Sequence, residues 1–125
     1  MRAIYLAAAL ALLCSIQSMG FDLTGYWQDQ PYEVDYYIRQ LGDQVWLLAE
    51  GVGDDPGPYS WTALGHGTLN RENLTMEYAD VPKGNGTMFG TIEMRVLSDD
   101  ELEIISWTGV PDISNETVVR LIRIS

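Results

Sequence analysis

The sequence predicts an all-β protein: a single eight-stranded antiparallel up-and-down barrel after an N-terminal signal segment. Apolar and polar residues alternate in short runs, as they do in strands that bury one face. Turn-forming residues separate these runs, and the sequence has neither helical periodicity nor an internal repeat. The expected strands cover residues 23–29, 34–41, 44–50, 59–69, 74–81, 87–97, 101–108 and 117–124.

Residues 1–20 have the composition of a secretory signal peptide. Arg2 supplies a positive start, residues 4–13 form an apolar run, and Ser18-Met19-Gly20 resembles a small-x-small cleavage site. Residues 21–125 then form the β-barrel domain, which we expect to be secreted or held at the cell surface. The apolar run is about half as long as a membrane span requires. An uncleaved anchor is the alternative.

Cysteine is confined to the leader, where Cys14 is the only one in the chain. Lipid attachment at Cys14 is a minor alternative, because Leu13 stands where lipoprotein processing prefers a small residue. Disulfides, thiolate nucleophiles and cysteine-ligated metals are excluded for the mature domain. Its stability must therefore come from an apolar core.

The mature domain is strongly acidic. Loss of Arg2 with the leader leaves 6 basic and 18 acidic residues and changes the net charge from −11 to −12. This charge disfavours nucleic acids and anionic membrane surfaces as partners. We expect a monomer with no stable membrane span after processing, and solubility is the simplest reason for the acidity.

Three asparagines at predicted strand ends or loops are candidate glycosylation sites. Each is followed two residues later by threonine, the acceptor pattern in secreted proteins. Asn-Gly is also ordinary turn chemistry, so a structural explanation stays open. The candidates are Asn73, Asn85 and Asn115.

The first strand carries Trp27, which we expect to plug the barrel. The last strand, residues 117–124, is expected to pair with the first, because closure removes the exposed edges of a meander. A two-sheet sandwich is the alternative. Residues 51–58 form the longest predicted connection and are expected to make a flexible flap at one end.

A two-residue turn at Gly42-Asp43 is expected to join the second and third strands. On the opposite face to the predicted core, it sets Arg39 directly across from Trp46, which suggests a cation–π pair. The face that makes the better core contains Val34, Tyr36, Ile38, Gln40, Val45, Leu47 and Ala49.

The fourth and fifth strands are expected to turn at Arg71-Glu72. Gly65 and Gly67 then lie opposite Tyr78 and Met76, as a tightly curved, filled barrel requires. The other face of this hairpin looks solvated.

A three-residue turn at 98–100 is expected to join the sixth and seventh strands. It aligns Val96 with Leu102 and Met94 with Ile104 inside, and Arg95 with Glu103 outside. The three hairpins agree in face parity, and this agreement is the best evidence for the fold.

Gly25-Tyr26-Trp27 resembles the Gly-x-Trp start of the calycin barrels, which include lipocalins, avidins and fatty-acid-binding proteins. In those barrels the tryptophan closes one end, often under an arginine from near the end of the chain. The resemblance implies that Gly25, Trp27 and Arg120 form the closure. Arg123 takes the place of Arg120 if the parity of the last strand is reversed.

A closer resemblance is to a family of small secreted proteins of unassigned activity, and it covers most of the mature chain. In that family's pattern, tryptophan is expected at the positions of Leu47 and Tyr78. If those tryptophans line a site in the family, the site is altered here. The family supplies no reaction. The matching segments are Leu23-Thr24-Gly25-Tyr26-Trp27, Tyr36-Tyr37-Ile38-Arg39-Gln40-Leu41-Gly42, Val45-Trp46, Ala79-Asp80-Val81-Pro82-Lys83-Gly84 and Thr108-Gly109.

The first candidate site is the aromatic and polar face of Tyr37, Arg39, Trp46 and Glu50. Flat rings beside charged groups suit the stacking of a sugar or small ligand, or a protein contact. The structural explanation is a set of cross-strand pairs on a solvated face. If this face points inward instead, it becomes the ligand pocket and the core assignment is inverted.

The second candidate site is the group of polar side chains on the expected core face: Tyr36, Gln40 and Tyr78. Gln40 must find hydrogen bonds, either to a ligand or, as we favour, to backbone groups near the barrel end. Asp80 adds a possible contact at the barrel mouth.

His66 is the only histidine and faces Glu77 across a predicted hairpin. Such a pair could act in acid–base catalysis, but no serine is placed by spacing to complete a triad, so a surface pair is favoured. The acidic turns lack the spacing of a calcium site. We assign no catalytic residue and expect no metal or cofactor.

The sequence therefore favours a non-enzymatic barrel that binds a small apolar ligand or a glycan. The alternative is an extracellular interaction or structural protein with a filled core, and a hydrolase or isomerase that uses His66 is least favoured. A void lined by Tyr36, Gln40 and Tyr78 would support ligand binding inside the barrel, whereas a filled interior would support an interaction protein.

Overall fold

The computed structural model describes residues 20–30, 33–53, 59–81, 89–110 and 119–125. Within these ranges the chain forms strands and no helix, so none of the described segments is a helix long and apolar enough to cross a membrane. The strands are β1 (Gly25–Asp29), β2 (Asp35–Leu41), β3 (Gln44–Gly53), β4 (Tyr59–Asn70), β5 (Asn73–Val81), β6 (Phe89–Ser98), β7 (Glu101–Val110) and β8 (Val119–Arg123).

The eight strands form a closed antiparallel barrel in which each strand pairs with the next along the chain. β8 returns to β1, with Trp27 opposite Arg123 and Asp29 opposite Leu121. The C-terminal residue continues the ladder, since Tyr26 N donates to Ser125 O at 2.9 Å. The prediction of closure is thereby confirmed and the sandwich alternative is wrong.

The registers of the first two predicted hairpins are confirmed. Gly42 and Asp43 form the turn that sets Arg39 opposite Trp46. Gly42 adopts φ +63°, a conformation that glycine enters without strain. β4 and β5 meet around Arg71 and Glu72 with the predicted pairing.

The β6–β7 hairpin has the predicted pairs but a shorter turn. Ser98 pairs with Glu101, and an irregularity between Val96 and Ser98 accommodates the extra residue. At a second register shift, Glu93 pairs with Ser106 whereas Met94 pairs with Ile104, so Ile105 has no partner on β6. The alternation of inward and outward side chains along β7 therefore reverses at Ile105. As a result, the side chain of Trp107 packs against the core.

Gly67 permits a close approach of β4 and β5. A Cβ at this position would overlap the backbone of Thr75 and Met76. Gly65 is less constrained, since its Cβ would lie 3.4 Å from the flexible end of Met76. The predicted placement of both glycines opposite bulky residues is confirmed.

The inward-facing residues of all eight strands form one apolar core. Apart from Gln40, which is half-buried, the predicted core face of β2 and β3 is buried throughout. The largest fully buried side chains include Trp27, Leu23, Leu74, Met76, Met94, Leu102 and Leu121.

Arg123, rather than Arg120, lies at the closed end of the barrel. Its guanidinium carbon is 4.6 Å from the centre of the Trp27 ring, and its Nη1 donates to Thr24 O at 2.7 Å. Gly25 has no side chain to obstruct Arg123 or the last residue of the chain. The parity of β8 is thus the reverse of the first expectation, and Arg120 points outward, 4.0 Å from Glu101.

Several predictions fall on other parts of the chain. The leader up to residue 19, the sequons at Asn85 and Asn115, and residues 54–58 of the expected flap lie outside the described residues. β3 continues to Gly53, so the connection before β4 is shorter than predicted. Asn73 is exposed at the start of β5, where a glycan would not meet the core.

Candidate functional site

The interior of the barrel is filled by side chains in the described part of the chain. Tyr36 is 6% exposed and Tyr78 is 7% exposed. Leu74, Leu102 and Leu121 have no accessible surface, so no water-sized space adjoins these inward-facing side chains. Tyr78 also accepts a 2.6 Å hydrogen bond from Trp107 Nε1, and the two rings meet edge to face. Tyr78 and Trp107 therefore contact each other inside the barrel.

Gln40 satisfies backbone groups near the closed end. Its Oε1 accepts from Leu23 N at 2.9 Å, and its Nε2 donates to Gly42 O at 2.9 Å. Both ends of the amide are therefore used in fixing the segment before β1 and the β2–β3 turn. This is the structural role that the sequence favoured for Gln40.

A buried carboxylate links β1 to β2 inside the barrel. Asp29 accepts hydrogen bonds from Val34 N and from the Tyr36 hydroxyl, each at 3.2 Å. Burial and the nearby negative charge of Asp29 raise the pKa of Tyr36 well above its usual range. The pair ties the chain together after β1 and holds the Tyr36 ring in the core.

A concavity of the described surface lies on the outside of the barrel. It is an open depression of about 1010 Å³ that crosses five strands, β2 to β6, and we call it the cross-strand groove. Its floor is the backbone of a row of inward-facing residues, and two outward-facing rows form its walls. The floor residues are Ile38, Leu47, Gly65, Tyr78 and Gly90.

One wall of the groove is apolar. Successive strand pairings place its members side by side, so they form a continuous row across the sheet. Tyr37, Leu64 and Phe89 are 44%, 50% and 53% exposed. The row consists of Tyr37, Leu48, Leu64, Ala79 and Phe89.

The opposite wall mixes aromatic and polar side chains, and consists of Arg39, Trp46, His66, Glu77 and Thr91. The Trp46 ring, 42% exposed, stacks on His66 at a centroid distance of 5.0 Å. His66 Nε2 also lies 3.0 Å from Gln44 Oε1. The expected cation–π pair of Arg39 and Trp46 is replaced by this stack, because the β3–β4 pairing brings His66 beside the indole.

The β1–β2 end of the apolar wall is stabilised by a second ring pair. Tyr26 stacks on Tyr37 with centroids 5.3 Å apart. The Tyr26 hydroxyl donates to Asp35 Oδ1 at 2.6 Å, and this hydrogen bond raises the pKa of Tyr26. Tyr37 is therefore held in place before any partner binds.

The structure brings together only part of the predicted site. Tyr37, Arg39 and Trp46 line the groove, whereas Glu50 is exposed one row beyond the apolar wall, opposite Asp35. Tyr36 and Gln40 do not line it, and Tyr78 contributes to the floor. Asp80 lies half-buried on the inward face of β5, opposite Ala63.

His66 and Glu77 face each other across β4 and β5 as predicted. Both are exposed, and the hydrogen-bond partner found for His66 is Gln44 rather than a hydroxyl nucleophile. Among the described residues, no group of three or more His, Cys, Asp or Glu is placed to hold a metal ion. The chemistry that this surface offers is apolar contact, ring stacking and hydrogen bonding.

Searches against protein-family models, curated proteins and solved structures find no match for this chain.

The apolar wall includes residues that the sequence did not single out. Hairpin parity places Leu48 on the outer face of β3. Leu64 lies beside Leu48 because of the β3–β4 register, and Phe89 lies beside Ala79 because of the β5–β6 register. Those strands are joined by connections of five and seven residues, each with several turn-forming residues, so the sequence leaves more than one register open. A run of outward-facing apolar residues on successive strands was the available signal.

Proposed function

We propose that this protein is a secreted, non-enzymatic binding protein that recognises its partner through the cross-strand groove on the outside of the barrel. The observation that carries the proposal is the continuous exposed apolar wall of the groove. Contiguous exposed apolar surface with polar neighbours is typical of an interaction site. Because the interior is filled, the outer surface is better supported than the lumen as the place of binding.

The size of the apolar wall sets the affinity that it can provide. Full burial of a Leu or Phe side chain contributes about 1.5–3 kcal/mol, so Tyr37, Leu64, Phe89 and the neighbouring Trp46, each already half-buried, offer about 1 kcal/mol apiece. The total of about 4 kcal/mol only offsets the lower end of the cost of association, which is about 4–15 kcal/mol. Micromolar affinity therefore needs further contacts from the polar wall, where Arg39, His66 and Glu77 are exposed.

The other functions considered have less support. A small apolar ligand inside the barrel would have to displace the packed rings of Tyr36 and Tyr78. Catalysis by His66 would require a nucleophile or second acid–base group at the ring, and the described contacts of His66 are with Gln44 and Trp46. The net charge of the mature domain also supports a partner other than nucleic acid.

The test is a binding screen with a matched pair of variants. Purified mature protein is applied to peptide, glycan and lipid arrays beside Trp46→Ala, in the polar wall, and Ile105→Ala, exposed on β7 away from the groove. Both should stay folded: Ile105→Ala should change stability by about 0.5 kcal/mol, and Trp46→Ala, which loses the stack on His66, by about 1–2 kcal/mol, less than the stability of a small domain. Any specific signal should be lost in Trp46→Ala and kept in Ile105→Ala. A signal that Trp46→Ala leaves intact would contradict the proposal.

A further inference from the structure

The apolar wall of the cross-strand groove has a two-strand period. Its large exposed side chains, Tyr37, Leu64 and Phe89, lie on β2, β4 and β6. Between them, Leu48 on β3 is half-buried and Ala79 on β5 is short. Neighbouring strands are about 4.8 Å apart, so the three prominent side chains recur about every 9.6 Å along the groove. The spaces between them are shallow receptacles of the same period.

The width of the groove limits the shape of its ligand. The two walls are two residues apart along each strand, which corresponds to about 6.8 Å. An α-helix with its side chains is about 10 Å across and does not fit between them. An extended chain that lies across the strands does fit.

The floor of the groove offers no hydrogen bonds to a ligand backbone. Its residues pair with one another from β2 to β6, for example Leu47 with Gly65 and Gly65 with Tyr78. At the floor of the groove each described strand is paired on both sides, so a ligand has no free edge there to which it could add a strand. An extended ligand that suits this groove therefore has few backbone N–H groups, because those that face the floor would find no acceptor.

From these three features we infer that the groove binds a proline-rich segment of a partner protein in the polyproline II conformation. This conformation repeats every three residues with a rise of about 3.1 Å per residue, or about 9.3 Å per turn, close to the period of the apolar wall. Proline lacks the N–H that the floor cannot satisfy. Aromatic-lined grooves recognise such segments in other proteins because the ligand is already ordered. The inference rests on the proposed function of the groove.

Charge complementarity specifies the ligand further. The polar wall holds both Arg39 and Glu77, and the carboxylates of Asp35 and Glu50, one row beyond the apolar wall, give this face a net negative charge. The mature domain carries a net charge of −12 once Arg2 is removed with the leader. The proline-rich segment therefore carries lysine or arginine beside its apolar residues. A second copy of this chain would bring the same negative charge and is the less suitable occupant.

A synthetic peptide tests the inference. The probe consists of one arginine followed by three Pro-Pro-Leu repeats, so that a leucine recurs once per turn. One control has the same composition with its leucines adjacent, and a second replaces the prolines with glycine and serine. Fluorescence anisotropy of labelled peptides should show saturable binding of the probe about tenfold tighter than that of either control.

Variants locate the binding. Leu64→Ser and Phe89→Ser, in the apolar wall, should each weaken probe binding about fivefold, because each removes about half of a buried side chain's contribution. Ile105→Ser, equally exposed but on β7, should bind as the unsubstituted protein does. Circular dichroism spectra confirm that all three are folded.

The results distinguish failure of the inference from failure of the proposed function. Equal binding of the three peptides, or none, together with a glycan or lipid signal that Leu64→Ser removes, would overturn the inference and leave the groove as the binding site. Probe binding unchanged in both groove variants would overturn both. A dimer in sedimentation velocity that Leu64→Ser dissociates would assign the groove to a second copy and also overturn the inference.

Discussion

Arg123→Ala should remove the main polar connection at the closed end of the barrel. The guanidinium donates to the backbone carbonyls of Asp22, Thr24 and Asp99, and it covers the Trp27 ring. Three net hydrogen bonds at about 1 kcal/mol each and a cation–π contact of about 0.5–1 kcal/mol give a loss of about 3–4 kcal/mol. The ion pair with Asp100 adds nothing to this sum, because the carboxylate side chain is 78% exposed.

A loss of this size is measurable against the stability of a small domain. Single domains unfold at a cost of about 5–15 kcal/mol, and each kcal/mol shifts the melting temperature by about 4–8 °C at this size. Arg123→Ala should therefore lower the melting temperature by about 12–30 °C. Urea denaturation followed by tryptophan fluorescence and by circular dichroism gives the free energy of unfolding directly.

Two further variants make the argument specific. Arg123→Lys keeps a cation near Trp27 but cannot reach three carbonyls at once, so about half of the loss should remain. Arg120→Ala removes only an exposed 4.0 Å ion pair with Glu101 and should cost less than about 1 kcal/mol. Equal effects of Arg120→Ala and Arg123→Ala, or an effect of Arg123→Ala below about 1 kcal/mol, would refute this account of the closed end.

The remaining predictions concern packing and pH. Gly67→Ala should lower the free energy of unfolding by more than about 3 kcal/mol or prevent folding, since its Cβ would meet backbone. Gly65→Ala should lower it by less than about 1 kcal/mol. Similar urea midpoints for the two variants would contradict the close approach of β4 and β5 at Gly67. Tyr36→Phe should cost about 1–3 kcal/mol, because it removes the hydrogen bond to buried Asp29. The pKa of Tyr36 is raised in the folded state, so above about pH 10 the unfolded chain loses the proton first and stability falls as pH rises. Urea titrations between about pH 8 and 11 should show a weaker alkaline loss in Tyr36→Phe, and an unchanged slope would count against the burial of this hydroxyl.

The fold was predictable where tight turns fix the register. Gly42-Asp43 and Arg71-Glu72 each bring two alternating runs face to face, and a shift of one residue would place core side chains in water. The pairs Arg39–Trp46 and Gly67–Met76 follow from this constraint, and both are present. Local turn chemistry and the apolar pattern agree at these hairpins, which is why few alternatives remained.

The errors lie where this constraint is missing. β8 follows a long connection, and its sequence alternates apolar residues equally well in either parity, since Val119 and Leu121 serve the core as well as Ile122 and Ile124 would. The parity was therefore open, and Arg120 was favoured over Arg123. The bulge at Ile105 reverses the alternation of β7 without any glycine or proline to mark it.

The groove illustrates why a site can be harder to predict than the core that supports it. The core is fixed by each hairpin separately, but the apolar wall exists only because the registers of β2 to β6 align Tyr37, Leu64 and Phe89 in one row. Leu64 and Phe89 contribute nothing to the interior, since their exposed side chains lie on the face opposite the core. Threonine at either position would keep the β propensity and improve solubility. Folding alone therefore gives no physical reason for apolar side chains at these positions, whereas a partner that covers the groove does.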